Sequence, residues 1–366
     1  MRHPLWRFCS GLVGLMFSFG VAVLAQSIPK PAVPLEPISA ILDAFKTHEI
    51  VALADAHGND QNHAFRLALI RHPRFALTVN DIVIELGNAR YQSVADEFAR
   101  GGNVGPEDLR HIWRDTTVPT AGNNYLMIEE LLRTVREVNT TLPRERQLRV
   151  LLGDPPIDWA RVHTHDEHTQ WIAMRDSYPA ARIEVEVLAK SRRALVLYGQ
   201  RHFQRQNIDS NFDMEHWQAQ TIVSLLEAAT PTKVFTIWQE DSLSNLQPDI
   251  GSWPVPSLAI TRGTVLGAAD VTVYTPAPSR VSVIDGKVVP VPRDRFKSLR
   301  AEDQFDAALY LGPVQTLTNH PSYEIPPALC SEPGFVEMQL NRISIAAVPK
   351  FEADQLKQYC SAVSTK

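Results

Sequence analysis

The sequence predicts an α/β fold: a mainly parallel central sheet with helices on both faces, followed by a C-terminal extension that contains a β-hairpin. Three observations lead there. Between Ile50 and Trp238, five apolar runs of strand length alternate with stretches of helical spacing, the pattern of a parallel sheet covered by helices. The runs also end alike, in a carboxylate, a glycine, an asparagine or a histidine, and in such sheets ligands sit outside the carboxyl ends of the strands. Finally, 366 residues with 44% hydrophobic and 21% charged composition are enough for a sizeable core.

At the N-terminus, Arg2, His3 and Arg7 precede an apolar run from Phe8 to Ala25 that has no acidic residue and ends in Val23-Leu24-Ala25. Residues 1–25 are therefore predicted to be a signal peptide, cleaved near Ala25-Gln26, with export to the periplasm or the exterior. The alternative is an uncleaved anchor; in either case the membrane is met only through this segment. Residues 26–37 are a Pro-rich linker, and Ile38 to Phe45 follow at helical spacing.

The first strand, from Ile50, delivers Asp55 and His57 and runs through Gly58 to a helix over Asn59 to His72, capped by Asn59 or Asp60 and carrying His63 near its start. The second, Asp81 to Asn88, ends in Glu85, Gly87 and Asn88. Helices are predicted over Tyr91 to Arg100 and Asn123 to Asn139. The third strand, Leu148 to Asp154, exits on a carboxylate that is equally an N-cap, and a helical pattern from about Thr169 through Lys190 is interrupted near Pro179. The fourth strand, Ala194 to Gly199, opens onto Gln200-Arg201-His202. A helix from Met214 to Ala229 leads to the fifth, Lys233 to Trp238, followed by Gln239, Glu240 and Asp241.

Beyond it, Ser257 to Thr261 and Phe305 to Pro313 read as strands, and Val281 to Val291 as a hairpin turning at Asp285-Gly286. The reading is of one domain over residues 38–320 and an irregular tail over 321–366. In an oxidising compartment the tail's Cys330 and Cys360 are expected to pair as a disulfide, Cys9 having left with the signal.

Taken together, the strand endings supply two histidines and two or three carboxylates along one edge. This is an inventory for a metal such as Zn or Mn, or for acid-base chemistry in which Glu85 fixes the His57 imidazole. For each histidine the bland alternative is a core residue satisfied by backbone, and for Arg201 it is a surface salt bridge. Arg201 could otherwise pair with an anionic substrate, and His63 could reach the same site. The segment His163, His165, His168 offers only an i, i+3 pair among solvated neighbours and reads as surface. The net charge of −5, with no Lys/Arg run, excludes nucleic acid as a partner. Nucleophile-elbow, zincin, Walker and dinucleotide-binding motifs are absent.

Ala54-Asp55-Ala56-His57 with His63, then Glu85, then Gly199-Gln200-Arg201-His202, resembles the superfamily of ChaN-like haem-uptake lipoproteins, Tiki-type metalloproteases and erythromycin esterases. The resemblance spans about Ile50 to Asp241. It implies that His57 and His202 are the paired site histidines and Glu85 the essential carboxylate; the strand-end reading adds Asp55 to the catalytic set and His63, Asn88 and Arg201 as candidate substrate contacts. It further implies an exported hydrolase that activates water, with or without a divalent metal, on an ester or amide of a small molecule or peptide. The alternative it carries is a haem- or metal-binding uptake protein without turnover. The chain departs from the family pattern in having Ala54 and Asp55 where glycine and glutamate are usual.

Overall fold

The computed structural model describes residues 28–119, 125–206, 220–230, 233–239, 243, 246–274, 281–284, 287–290, 298–320, 325–348 and 350–364. The signal segment, Glu240, Asp241, the start of the helix expected from Met214 and the Asp285-Gly286 turn lie outside them. Among the described residues no helix is long and apolar enough to cross a membrane.

In chain order the strands are β1 (Ile50–Ala54), β2 (Asp81–Asn88), β3 (Arg149–Asp154), β4 (Ala194–Tyr198), β5 (Val234–Gln239), β6 (Ser257–Ile260), β7 (Val281–Ile284), β8 (Lys287–Pro290) and β9 (Ala307–Tyr310). Seven form one sheet in the order β3-β2-β4-β1-β5-β9-β6, parallel throughout except for β6, which pairs antiparallel with β9. β7 and β8 pair separately.

β1 is buried along its whole length, which is why it reads as a continuous apolar run. Val51 and Leu53 belong to one core with Phe65, Leu69, Leu131 and Val135, while Ile50 and Ala52 belong to the other, with Ile183, Val223 and Leu226. The two-residue alternation of a strand thus serves helices on both faces. From β1 the chain leaves toward β2, and from its neighbour β4 it leaves toward β5. These opposite departures open a crevice past the ends of β1 and β4.

Both sheet edges are covered. The Gln92 side chain bonds the Val150 carbonyl and the Leu152 amide of β3, and Arg182 bonds the Leu152 carbonyl. At the other edge the segment read as linker docks: Leu35 exchanges backbone bonds with Leu258 of β6, and Lys30 with Gly263 and Val265. Bonding to the sheet, rather than composition, decides the state of that segment.

Two further expectations are corrected. The helical stretch after His165 breaks at 173–176, between helices His165–Ile172 and Ser177–Glu186, and Pro179 lies inside the first turn of the second. A proline is tolerated there because the first-turn amides have no intrahelical acceptor. The C-terminal tail is helical, with helices Pro327–Cys330, Phe335–Ile345 and Lys350–Ser364. Leu329, Phe335, Ile343 and Leu356 pack into the first core, and Cys330 is bonded to Cys360 as expected.

Candidate functional site

The site begins where β1 ends. Asp55 is buried, its amide bonded to the Tyr198 carbonyl of β4 at 2.8 Å, and His57 follows on a turn that Gly58 completes at φ +74°. That backbone conformation suits glycine. Asn59 then caps the helix Asp60–Arg71, accepting from the Asn62 amide at 2.8 Å, and the turn leaves the His57 side chain 38% exposed.

Two strands over, past β4, Glu85 of β2 is 4% exposed. Its Oε2 accepts from the Gly199 amide at 2.6 Å and faces His57 Nε2 at 3.4 Å. Its Oε1 accepts from Arg175 Nη2 and faces His202 Nε2 at 3.4 Å. A Cβ at Gly199 would stand 3.3 Å from His57 Nε2 and 3.4 Å from Glu85 Oε2, so a residue without a side chain keeps the two together. His57, Glu85 and His202, 145 positions apart from first to last, therefore meet around one carboxylate.

Each member is held from behind. His202 Nδ1 bonds Asp176 Oδ1 at 2.9 Å, and the same oxygen accepts from the Ile222 amide at 3.0 Å. Asp55 Oδ2 lies 3.6 Å from His57 Nδ1 and 2.6 Å from Arg66 Nη1. The short Asp55 side chain thus serves mainly to neutralise a buried arginine. Arg175 continues to Asp154, 3.9 Å from its Nε, and Asp154 accepts from both the amide and hydroxyl of Thr117 at 2.7 and 2.5 Å. The Tyr198 ring stands edge-on to His202, and its buried hydroxyl has no hydrogen-bond partner among the described residues.

The electrostatics follow from this arrangement. Burial works against a charged His57, but Glu85 and then Asp55 outweigh it and push its pKa up from 6.5 to about 10. Burial likewise opposes charge on His202, and Glu85 with Asp176 pushes it up to about 9. Burial would raise Glu85, yet His57, His202 and Arg175 hold it well below the usual carboxylate range. For Asp55 burial is again outweighed, by Arg66 and His57, and its pKa falls to about 2. At Asp154 burial wins against Arg175 and Thr117, and the carboxyl rises to about 7. At neutral pH both imidazoles are therefore cations around an ionised Glu85.

A Zn or Mn ion at His57, Glu85 and His202 would have to displace partners that these groups already have. Both Glu85 oxygens already accept from N–H groups, and a guanidinium occupies its flank. Among the described residues no group of three or more His, Cys, Asp or Glu side chains is arranged to hold a metal ion.

The remaining expected site residues are placed differently. Asn88 gives its amide to the Asp115 and Ile157 carbonyls at 2.6 and 3.0 Å and accepts from the Arg90 amide, a backbone-tethering role. His63 is buried and bonds Glu130 at 3.0 Å. Arg201 is exposed on the turn Gln200–Phe203 beside His202. His168 bonds the Thr117 carbonyl at 2.8 Å, as a satisfied interior histidine.

Sequence reading missed Arg66, Arg175 and Asp176. Arg66 had a signal: Asn62, Arg66 and Ile70 share one helical stripe, and a charge on a buried stripe requires a partner. Arg175 and Asp176 stand at a helix break rather than a strand end, and nothing local marks them.

No protein-family model matches the sequence, and no curated protein matches it. Among solved structures, a succinoglycan biosynthesis protein is similar with a TM-score of 0.53 at 11% identity, over 77% of this chain and 94% of that one. A Bacillus cereus protein gives 0.48 at 11% identity, over 80% and 97%. The structure described as showing cofacial heme binding to ChaN of Campylobacter jejuni gives 0.35 at 10% identity, over 56% and 86%. At such identities the first is a likeness of fold alone.

Proposed function

We propose that this chain is a hydrolase of ester or amide bonds in which His57 carries the proton of an attacking water, without a resident metal. The observation that supports this reading best is the Glu85 carboxylate shared by two imidazoles, of which only His57 is substantially exposed, at 38% against 15% for His202. Neutral His57 accepts a proton as the water oxygen attacks the carbonyl carbon. When the tetrahedral intermediate collapses, the C–O or C–N bond breaks and the leaving group takes that proton back. Glu85 and Asp55 orient the ring, and the Arg175 guanidinium adds positive potential where negative charge develops. Arg201, exposed beside the crevice, suits a substrate with an anionic group, whether a small molecule or a peptide.

Because the carboxylates favour protonated His57, the competent base is the minor form at pH 7. Turnover should rise with pH toward about 10, where His57 loses its proton. The test is hydrolysis of a panel of esters and amides from pH 6 to 10, with and without chelator. Activity that survives chelation, climbs with pH and is lost in His57→Ala is the expected result. Turnover that needs added metal, or that persists in His57→Ala, refutes the reading.

Export belongs to the same proposal. Supporting it is the Cys330–Cys360 disulfide, a bond that persists in oxidising compartments. An N-terminus beginning at Gln26 in protein recovered outside the cytoplasm would be the expected finding.

A further inference from the structure

We propose a second, anion-binding site, in a cleft of about 510 Å³ at the opposite edge of the sheet, where β3 begins and the chain enters β4. Its ligand is a small multivalent anion whose phosphate or carboxylate groups are read by guanidinium forks. Arg149 and Asp154 are the two ends of β3, so at roughly 3.3 Å per residue the cleft lies about 17 Å from the crevice that holds Glu85. It shares no residue with the site described above, and the proposal does not depend on the hydrolytic reading.

The floor is made of two arginines that are already immobilised. Arg149 bonds both Asp96 oxygens through Nε and Nη2, at 2.9 and 3.2 Å, and reaches Glu186 through Nη1 at 2.9 Å. Arg192 bonds both oxygens of buried Asp81 through Nε and Nη2, at 2.6 and 2.8 Å, which leaves Nη1 outside the pair. The two guanidinium groups are close enough to repel each other, and it is the carboxylates behind them that keep them together. A fork fixed from one side has lost its rotamer entropy before any ligand arrives, so further bonds to it cost less ordering.

The rim supplies cations that are not used up in this way. Arg100, from the end of the helix Gln92–Ala99, meets Asp96 only at 3.9 Å, and the exposed Arg144 side chain makes no ion pair or hydrogen bond among the described residues. Lys190 is tied to Glu186 at 2.8 Å. In all, five cationic side chains line the cleft against three carboxylates, a surplus of two positive charges, which Asp81 behind Arg192 reduces to one. A surface network that only closed on itself would balance. Here a positive surplus collects in a concavity of ligand size on a chain whose net charge is −5.

The experiment is titration calorimetry of the purified protein with inorganic pyrophosphate and, separately, with citrate, at low and at physiological salt. The variant is Arg100→Glu with Arg144→Glu, both exposed positions outside the core, checked for an unchanged melting temperature. Saturable one-to-one binding of either anion, weakened by salt and at least about tenfold weaker in the variant, is expected. Binding of both would mark a site for multivalent charge, and binding of pyrophosphate alone one for phosphate. The proposal is overturned by wild-type protein that binds neither anion saturably, or by an affinity the double substitution leaves unchanged.

Discussion

Replacing Glu85 by Gln keeps the shape of the side chain, and an oxygen for the Gly199 amide, while removing the charge that two imidazoles and a guanidinium share. Opposite unit charges 3.4 Å apart attract by about 5 kcal/mol at an effective dielectric of about 20 and by about 1 kcal/mol in water. His57, 38% exposed, lies toward the wet limit and His202, 15% exposed, toward the dry one. In Glu85→Gln the His57 midpoint should therefore fall by about one pH unit and that of His202 by about two. The stability consequence has a definite sign. A raised histidine pKa stabilises the folded state fully below the ordinary value of 6.5, and that contribution is lost as pH rises through about 9 for His202 and about 10 for His57. The gap between wild type and variant should accordingly be widest near pH 6 and narrow by pH 10, leaving the cost of Arg175 without its main partner. Histidine ring-proton NMR titrations and urea unfolding at the two pH values measure both effects. Midpoints that stay where they were would refute the idea that Glu85 governs the charge of the site.

Other consequences follow from packing. A Cβ on Gly153 would overlap the Tyr198 hydroxyl and stand 2.9 Å from the Ile84 carbonyl, so Gly153→Ala should cost roughly 2 kcal/mol or more. Tyr198→Phe, which deletes a buried hydroxyl that has no partner among the described residues, should by itself be near neutral and should restore part of that loss in the double variant. Chemical unfolding of all four proteins checks this, and strict additivity would count against the contact. Cys360→Ala opens a link between residues 30 positions apart, which chain entropy values at about 3–4 kcal/mol. Thermal melting should show the loss, and wild-type protein under reducing conditions should show the same loss.

The sequence by itself determined what is local. Continuous apolar runs such as Ile50–Ala54 and Ile82–Ile84 identify strands buried on both faces, the Asn59 cap marks where the helix after the first strand begins, and the endings at His57, Glu85 and His202 point to the edge where a site would form. Each of these signals is carried by residues adjacent in the chain or one helical turn apart. The tertiary structure alone decided the rest. It placed β4 between β1 and β2, and with it His202 opposite His57 across Glu85. It drew Arg175 and Asp176 in from a helix break, tied Asp55 to Arg66 and left Asn88 to the backbone. The linker docked on β6 and the helical tail were likewise beyond reach of composition. The physical reason is that a buried charge is stable only beside its partner, and which partner it finds depends on how distant segments pack; the raised pKa of His57 follows from those pairings.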